Sequence, residues 1–204
     1  MNLHWILFDL GGVLYDIDVQ QPIQMLKSLS RADLDGQTED FLYQEHVQFM
    51  KGKYSPEEFF ARLKNTLNIS LGIEEIQQIW DKIILNFRNE FKPVLAGLKL
   101  HYNLALVSNT DPSHIKKILA QVPEFPYFFN RIFLSYEMKK VKPSHEFFIT
   151  VLKEIQADPA QCLFLDDSEE NVEAAQLVGI HGERVTSYSD VIAVFKYYGI
   201  QTNF

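Results

Sequence analysis

The chain has 204 residues, 47% of them hydrophobic, a single cysteine and a formal net charge of −8. That length holds one large domain or one domain with an insertion, and that apolar share builds a core and excludes a disordered chain. The acidic balance argues against nucleic acid or an anionic membrane surface as the main partner.

No stretch approaches the ~20 apolar residues of a membrane span. Asp9 interrupts the short N-terminal apolar run too early for a signal peptide. Cys162 alone gives no internal disulfide and suits a reducing cytosol, so a cytoplasmic protein is expected.

Leu3 to Phe8 is a nearly continuous apolar run, the pattern of a buried parallel strand, and Gly11-Gly12 breaks it. From about Gln20 to Arg88 the pattern is helical and no strand is expected. Ser55-Pro56-Glu57-Glu58 is a helix start: Ser as N-cap, Pro at the first helical position, Glu three residues after the cap. Phe59, Phe60 and Leu63 follow at helical spacing. Ile73, Ile76, Trp80, Ile83, Ile84 and Phe87 form a second stripe at roughly 3.6-residue period. Both stripes read as core packing.

After Pro93 the pattern alternates. Helix (Pro93 to Leu100), strand (Leu104 to Val107), helix (Pro112 to Leu119), strand (Arg131 to Leu134), helix (Ser144 to Ile155), strand (Cys162 to Leu165) and helix (Glu169 to Leu177) follow in turn, with Gly179 as a C-cap. A strand near Arg184-Val185 and a helix from Ser189 to Tyr198 complete it. Such alternation implies a parallel sheet with helices on both faces. The expected fold is α/β: a doubly wound, Rossmann-like parallel sheet core (1–15 and 90–204) with an inserted all-helical cap (16–89).

Four segments lie at or just past the ends of predicted strands, where open α/β sheets bind ligands. Asp9 ends the first strand. A carboxylate there can attack phosphorus to give an aspartyl-phosphate that water later hydrolyses, or it can cap a turn. The backbone of Leu10, Gly11 and Gly12 leaves N–H groups free to approach phosphate oxygens. Ser108 and Asn109, with Thr110, offer a hydroxyl and N–H groups before a helix, either an anion site or a helix entry with Asp111-Pro112. The Lys142 ammonium, before Pro143, can neutralise a phosphate oxygen and Asp9 together, or be solvated. Asp166 and Asp167 end the Cys162 strand. Adjacent acids repel, and a divalent cation such as Mg²⁺ or a helix N-terminus relieves them.

With these segments in this order and placement, the chain resembles the haloacid dehalogenase superfamily of phosphohydrolases, over essentially its full length. The run Phe8-Asp9-Leu10-Gly11-Gly12-Val13-Leu14 with Tyr15-Asp16-Ile17-Asp18 is most similar to the branch of bacterial sugar phosphatases and epoxide-hydrolase N-terminal-like phosphatases. The resemblance implies Asp9 as nucleophile, Ser108 with Asn109 on phosphate, and Lys142 on both nucleophile and phosphate. It implies Mg²⁺ held by Asp9, the Gly11 carbonyl and Asp167, with Asp166 as ligand or support and Asn171 holding that loop. The substrate is then a small phosphorylated metabolite, with a sugar phosphate such as glucose 1-phosphate in view.

Phosphatases of this family usually place a second Asp two residues after the nucleophile as general acid and base, and here position 11 is glycine. Water, Asp16, Glu45 and His46 are the substitutes to look for. Gly11 also keeps open a metal-independent 2-haloacid dehalogenase and a weak or non-catalytic phosphate-binding protein. Substrate contacts are expected between Glu45 and Tyr54, where Lys51 or Lys53 meets a second anionic group or solvent. The six histidines show no zinc-site spacing, and His145 is near enough to Lys142 for a substrate role.

Overall fold

The computed structural model describes residues 2–32 and 36–201. Its strands in chain order are β1 (Trp5–Phe8), β2 (Tyr15–Ile17), β3 (Ile84–Phe87), β4 (Asn103–Ser108), β5 (Arg131–Leu134), β6 (Cys162–Asp166) and β7 (His181–Arg184). Five of them form one sheet in the order β5-β4-β1-β6-β7, and every neighbouring pair is parallel. β1 is central and both its neighbours lie far from it in sequence. The order reverses beside it, which is where ligands bind in such sheets.

Residue alternation divides the core between the two faces. Ile6 and Phe8 of β1 share one cluster with Leu104, Leu106, Leu163 and Leu165, whereas Leu7 shares the other with Ala105, Val107 and Phe164. Both sets are buried, so the strands read as unbroken apolar runs. The helices α1 (Gln20–Ser28), α2 (Gly36–Met50), α3 (Pro56–Leu67) and α4 (Ile73–Trp80) precede the later ones. Then come α5 (Phe91–Leu98), α6 (Pro112–Gln121), α7 (Ser135–Met138), α8 (His145–Ile155), α9 (Glu169–Leu177) and α10 (Tyr188–Tyr197). Phe91 and Val94 of α5 and Phe195 of α10 cover the first face; Phe147 and Phe148 of α8 and Ala175 of α9 cover the second. This is the expected doubly wound architecture.

Helices α1 to α4 build a separate cluster around Phe49, Phe59, Phe60, Leu63, Ile76 and Trp80. The predicted helix start at Ser55 is a reciprocal capping box: Ser55 Oγ accepts from Glu58 N–H at 3.2 Å, and the Glu58 carboxylate accepts from Ser55 N–H at 2.8 Å. The Phe49 and Phe59 rings stack at 4.1 Å with 8° between their planes.

The insertion is not all-helical. The predicted stripe through Ile83, Ile84 and Phe87 ends its helix at Trp80, passes through one 3-10 turn, and becomes strand β3. That strand pairs antiparallel with β2, Ile84 opposite Ile17 and Phe87 opposite Tyr15. The β2–β3 register shifts between Tyr15 and Ile17, so Ile84 and Phe87, three residues apart, both face inward. Such spacing looks helical in sequence. Among the described residues no helix is long and apolar enough to cross a membrane.

Candidate active site

Strands β1, β4 and β6 end side by side, and their C-terminal residues supply most of the site. Asp9 follows β1 directly, its N–H held by the Leu165 carbonyl at 2.9 Å. Ser108 is the last residue of β4, and Asp166 the last of β6. Lys142, between α7 and α8, brings its ammonium beneath both acids. Its Nζ donates to Asp9 Oδ1 and to Asp166 Oδ2, each at 2.6 Å. All three are buried. Burial would depress the Lys142 ammonium, but Asp166 and Asp9 outweigh it and hold its pKa above the ordinary lysine value. Burial pushes the Asp9 carboxyl up; Lys142 pulls it down and Asp166 pushes it further up. Burial and then Asp166 also raise the Asp167 carboxyl.

Asp9, Asp166 and Asp167 each bring an oxygen within 4.8 Å of the others. One ammonium faces three carboxylates, and a divalent cation is the natural complement. The Asp166 oxygens are largely engaged: Oδ2 accepts from Lys142, and Oδ1 accepts from Ser168 N–H at 2.9 Å and Asn171 Nδ2 at 3.0 Å. Asp166 therefore fits the supporting role better than that of a principal ligand. Asn171 holds the loop as expected. Asp167 makes no such side-chain hydrogen bonds among the described residues. The Gly11 carbonyl likewise accepts no hydrogen bond among the described residues. Gly12 has φ +75°, and a Cβ there would overlap the Asp167 carboxylate. The glycine thus allows that acid to close over the Asp9 loop, and the donor set of Asp9, Gly11 and Asp167 fits Mg²⁺.

The Ser108 hydroxyl makes no hydrogen bond among the described residues and faces a cavity of about 130 Å³ that Leu10, Gly11 and Asn109 also line. Asn109 departs from expectation. Its Oδ1 accepts from Lys142 N–H at 2.8 Å and its Nδ2 donates to the Lys142 carbonyl at 2.9 Å. Both ends of the amide are occupied, so the side chain positions Lys142 and only its backbone N–H remains for phosphate.

Of the substitutes for the acid absent at position 11, Asp16 is bound to Arg88 Nε at 2.8 Å. Glu45 accepts from Tyr54 and Arg62, each at 3.1 Å. His46 alone of the three lines the cavity. Lys51 and Lys53 do not line it, and Lys53 lies over the Tyr54 ring at 5.5 Å. His145 is exposed on α8.

Sequence reasoning missed two features. Arg88 clamps the Asp9 loop through the carbonyls of Gly12 at 2.9 Å and Val13 at 3.0 Å as well as through Asp16. A seam also joins the helical insertion to α6. Trp80 Nε1 donates to Asp111 Oδ2 at 3.1 Å, the Trp80 and His114 rings stack 5.8 Å apart, and Lys117 Nζ donates to the Asp81 and Ile84 carbonyls at 2.6 Å. The only local signal was Asp111-Pro112, and Asp111 does cap α6 through Ser113 and His114 N–H.

A family model of haloacid dehalogenase-like hydrolases matches residues 3–179. A D-ribitol-5-phosphate phosphatase of Bacteroides thetaiotaomicron is 31% identical over 189 residues, 85% of this chain and 87% of its own length. A sesquiterpene phosphatase of Aspergillus oryzae is 29% identical over 189 residues, 88% of each chain. A crystal structure of a HAD-family enzyme from Bacteroides thetaiotaomicron superposes with a TM-score of 0.87 at 26% identity, covering 96% of this chain and 99% of the other. The same enzyme with magnesium and inorganic phosphate superposes with a TM-score of 0.81 at 27% identity, covering 93% and 98%.

Proposed function

Because the chain belongs to the haloacid dehalogenase-like hydrolases, we propose that it removes phosphate from a small phosphorylated metabolite through an aspartyl-phosphate on Asp9, with residues 16–89 acting as a cap over the core of 1–15 and 90–204. It is an Mg²⁺-dependent phosphatase, a phosphoric monoester hydrolase. The observation that carries the reading is the Lys142 ammonium set 2.6 Å from both Asp9 and Asp166, with Ser108, whose hydroxyl makes no hydrogen bond among the described residues, at the end of the strand neighbouring β1.

Lys142 pulls the buried Asp9 carboxyl back toward its ionised form and lies where a phosphoryl oxygen would meet it. Ser108 and the N–H groups of the Leu10–Gly11 and Asn109 backbone receive the remaining oxygens. The Asp9 carboxylate attacks phosphorus, the bond to the alcohol oxygen breaks, and that oxygen takes a proton from water. Water then attacks the aspartyl-phosphate, releasing phosphate and restoring the carboxylate. Asp9, the Gly11 carbonyl and Asp167 would hold Mg²⁺, with Asp166 in support. Bound Mg²⁺ supplies positive charge against the phosphoryl oxygens and the acids. The Trp80–Asp111 and Lys117 contacts support a cap seated on the core, shielding the reacting atoms from bulk water.

The Asp166–Asp167 pair, unneeded in metal-free dehalogenation, favours phosphate chemistry. Buried, unpaired Cys162 suits the cytosol. One relative is a D-ribitol-5-phosphate phosphatase and another a sesquiterpene phosphatase. The test panel therefore spans polar and apolar esters: glucose 1-phosphate, D-ribitol 5-phosphate, p-nitrophenyl phosphate and prenyl phosphates. Phosphate release that requires Mg²⁺, stops with EDTA and vanishes in Asp9→Asn supports the reading. A folded protein that releases none with Mg²⁺ present, or an Asp9→Asn variant as active as wild type, overturns it.

A further inference from the structure

Two cavities meet at one side chain. The first, about 130 Å³, holds the phosphate cradle at one end, and Ile17, Val19, Met50, Ile83 and Ile84 form much of the rest. The second, about 180 Å³, lies within the helical insertion among Ile23, Leu26, Leu42, Phe59, Leu63 and Leu67. His46 lines both. Its ring stands edge-on to Trp80 at 4.8 Å and makes no hydrogen bond among the described residues, so no polar contact fixes that partition in place. The polar-tipped members of the second wall are Lys27, Tyr43, His46 and Trp80, whose Nε1 is held by Asp111.

The polar groups of the first cavity are mostly spent. Both ends of the Asn109 amide bind the Lys142 backbone. The Asp111 carboxylate accepts from Ser113 N–H, His114 N–H and Trp80 Nε1, and its Oδ2 pairs with His114 Nδ1 at 3.1 Å. The Thr110 N–H and carbonyl are both taken by Ser135 Oγ. Among the described residues, what remains is the Ser108 hydroxyl with the Leu10, Gly11 and Asn109 N–H groups, already assigned to phosphate, the Gly11 carbonyl, already assigned to Mg²⁺, the Thr110 hydroxyl and His46. A sugar or polyol would bury several hydroxyls here without partners, and an unpartnered buried hydroxyl is costly. A hydrocarbon meets the wall with no such cost.

We propose that the alcohol borne by the phosphate is an apolar chain, running from the cradle past His46 into the cavity of the helical insertion. This rests on the phosphatase reading of the same site. The Mg²⁺-loaded enzyme is assayed on p-nitrophenyl, dimethylallyl and geranyl phosphates beside D-ribitol 5-phosphate and glucose 1-phosphate. A rise in kcat/KM of at least roughly tenfold from dimethylallyl to geranyl phosphate is expected, the discrimination that a few added methylenes give in an apolar pocket. Leu63→Trp fills the second cavity and should lower kcat/KM for geranyl phosphate at least roughly tenfold more than for dimethylallyl phosphate. Leu42→Trp is read the same way if Leu63→Trp does not fold, and the wild-type series stands without either. A preference for either polar ester over geranyl phosphate, or an equal loss on both prenyl esters in the variants, overturns the proposal while leaving the phosphatase reading intact. No release from any ester, p-nitrophenyl phosphate included, overturns both.

Discussion

Asn109 grips Lys142 by its backbone from both sides, accepting from its N–H at 2.8 Å and donating to its carbonyl at 2.9 Å across 33 positions of sequence. This amide pair links the end of β4 to the loop that carries the ammonium. It sets where Nζ points, and so how well Lys142 serves Asp9. Asn109→Ala should leave a folded protein with kcat reduced on the order of 10²-fold, the scale of a misplaced catalytic group. KM for p-nitrophenyl phosphate should change far less. Asn109→Asp keeps the acceptor and loses the donor, so its kcat should fall between the two. Steady-state kinetics of the three proteins check this. A KM effect alone would make Asn109 a phosphate ligand instead.

The loop after Asp9 explains why an acid at position 11 is not a free addition. A Cβ on Gly11 would lie 3.1 Å from Ile17 Cδ1 and 3.3 Å from its Cγ2. Gly11→Asp by itself should therefore fold less stably and gain little. Gly11→Asp with Ile17→Ala opens the space, and turnover should rise toward the ~10²-fold that general acid–base help supplies. The double variant compared with Ile17→Ala alone is the measurement. An unchanged rate would mean that leaving-group protonation does not limit turnover.

The candidate residues Asp9, Ser108, Asp166 and Asp167 were legible because each stands at or just past a strand end marked by its own sequence. Asp9 precedes two glycines, Ser108 closes an apolar run, and Asp166-Asp167 close another. Periodicity and punctuation suffice for such positions. β2 and β3 were not legible: they are short, they pair over about 70 residues, and their shifted register copies a helical spacing. The engagement of the Asn109 side chain was hidden because its local reading, a polar residue before a helix, is equally good. The Trp80–Asp111–His114 seam was hidden for a related reason. Asp111 performs the cap that sequence assigns to its Oδ1, and the contacts that bind the insertion use Oδ2.

Tyr15 gives a prediction for stability alone. Its side chain is buried between Phe87 and Phe125, and its hydroxyl finds no partner among the described residues. An unmet buried hydroxyl costs about 1–3 kcal/mol, and removing it while keeping the ring recovers part of that. Tyr15→Phe should stabilise the protein by about 1 kcal/mol and raise Tm by about 2–4 °C. Activity should be unchanged. Thermal unfolding of the two proteins decides it, and a lower Tm would show that the hydroxyl is satisfied in solution.

His46 gives the pH dependence. Burial pushes its pKa down to about 4; Asp111 pulls it up and His114 pushes it down. The unfolded chain holds this imidazole near its ordinary value of about 6.5. Between those values the unfolded state binds more protons, so acidification favours unfolding. The penalty is absent above about pH 6.5, grows as pH falls, and is complete below the folded value of about 4. The ring borders two cavities and keeps some solvent, so the loss should be roughly 1–3 kcal/mol. His46→Phe removes the titrating group and keeps the edge-on contact with Trp80. Urea unfolding at pH 7 and pH 4.5 should show wild type losing stability relative to His46→Phe by that amount. The groups common to the two proteins cancel in the difference. Parallel losses in the two proteins would mean that His46 accepts a proton in the folded state as readily as in the unfolded chain.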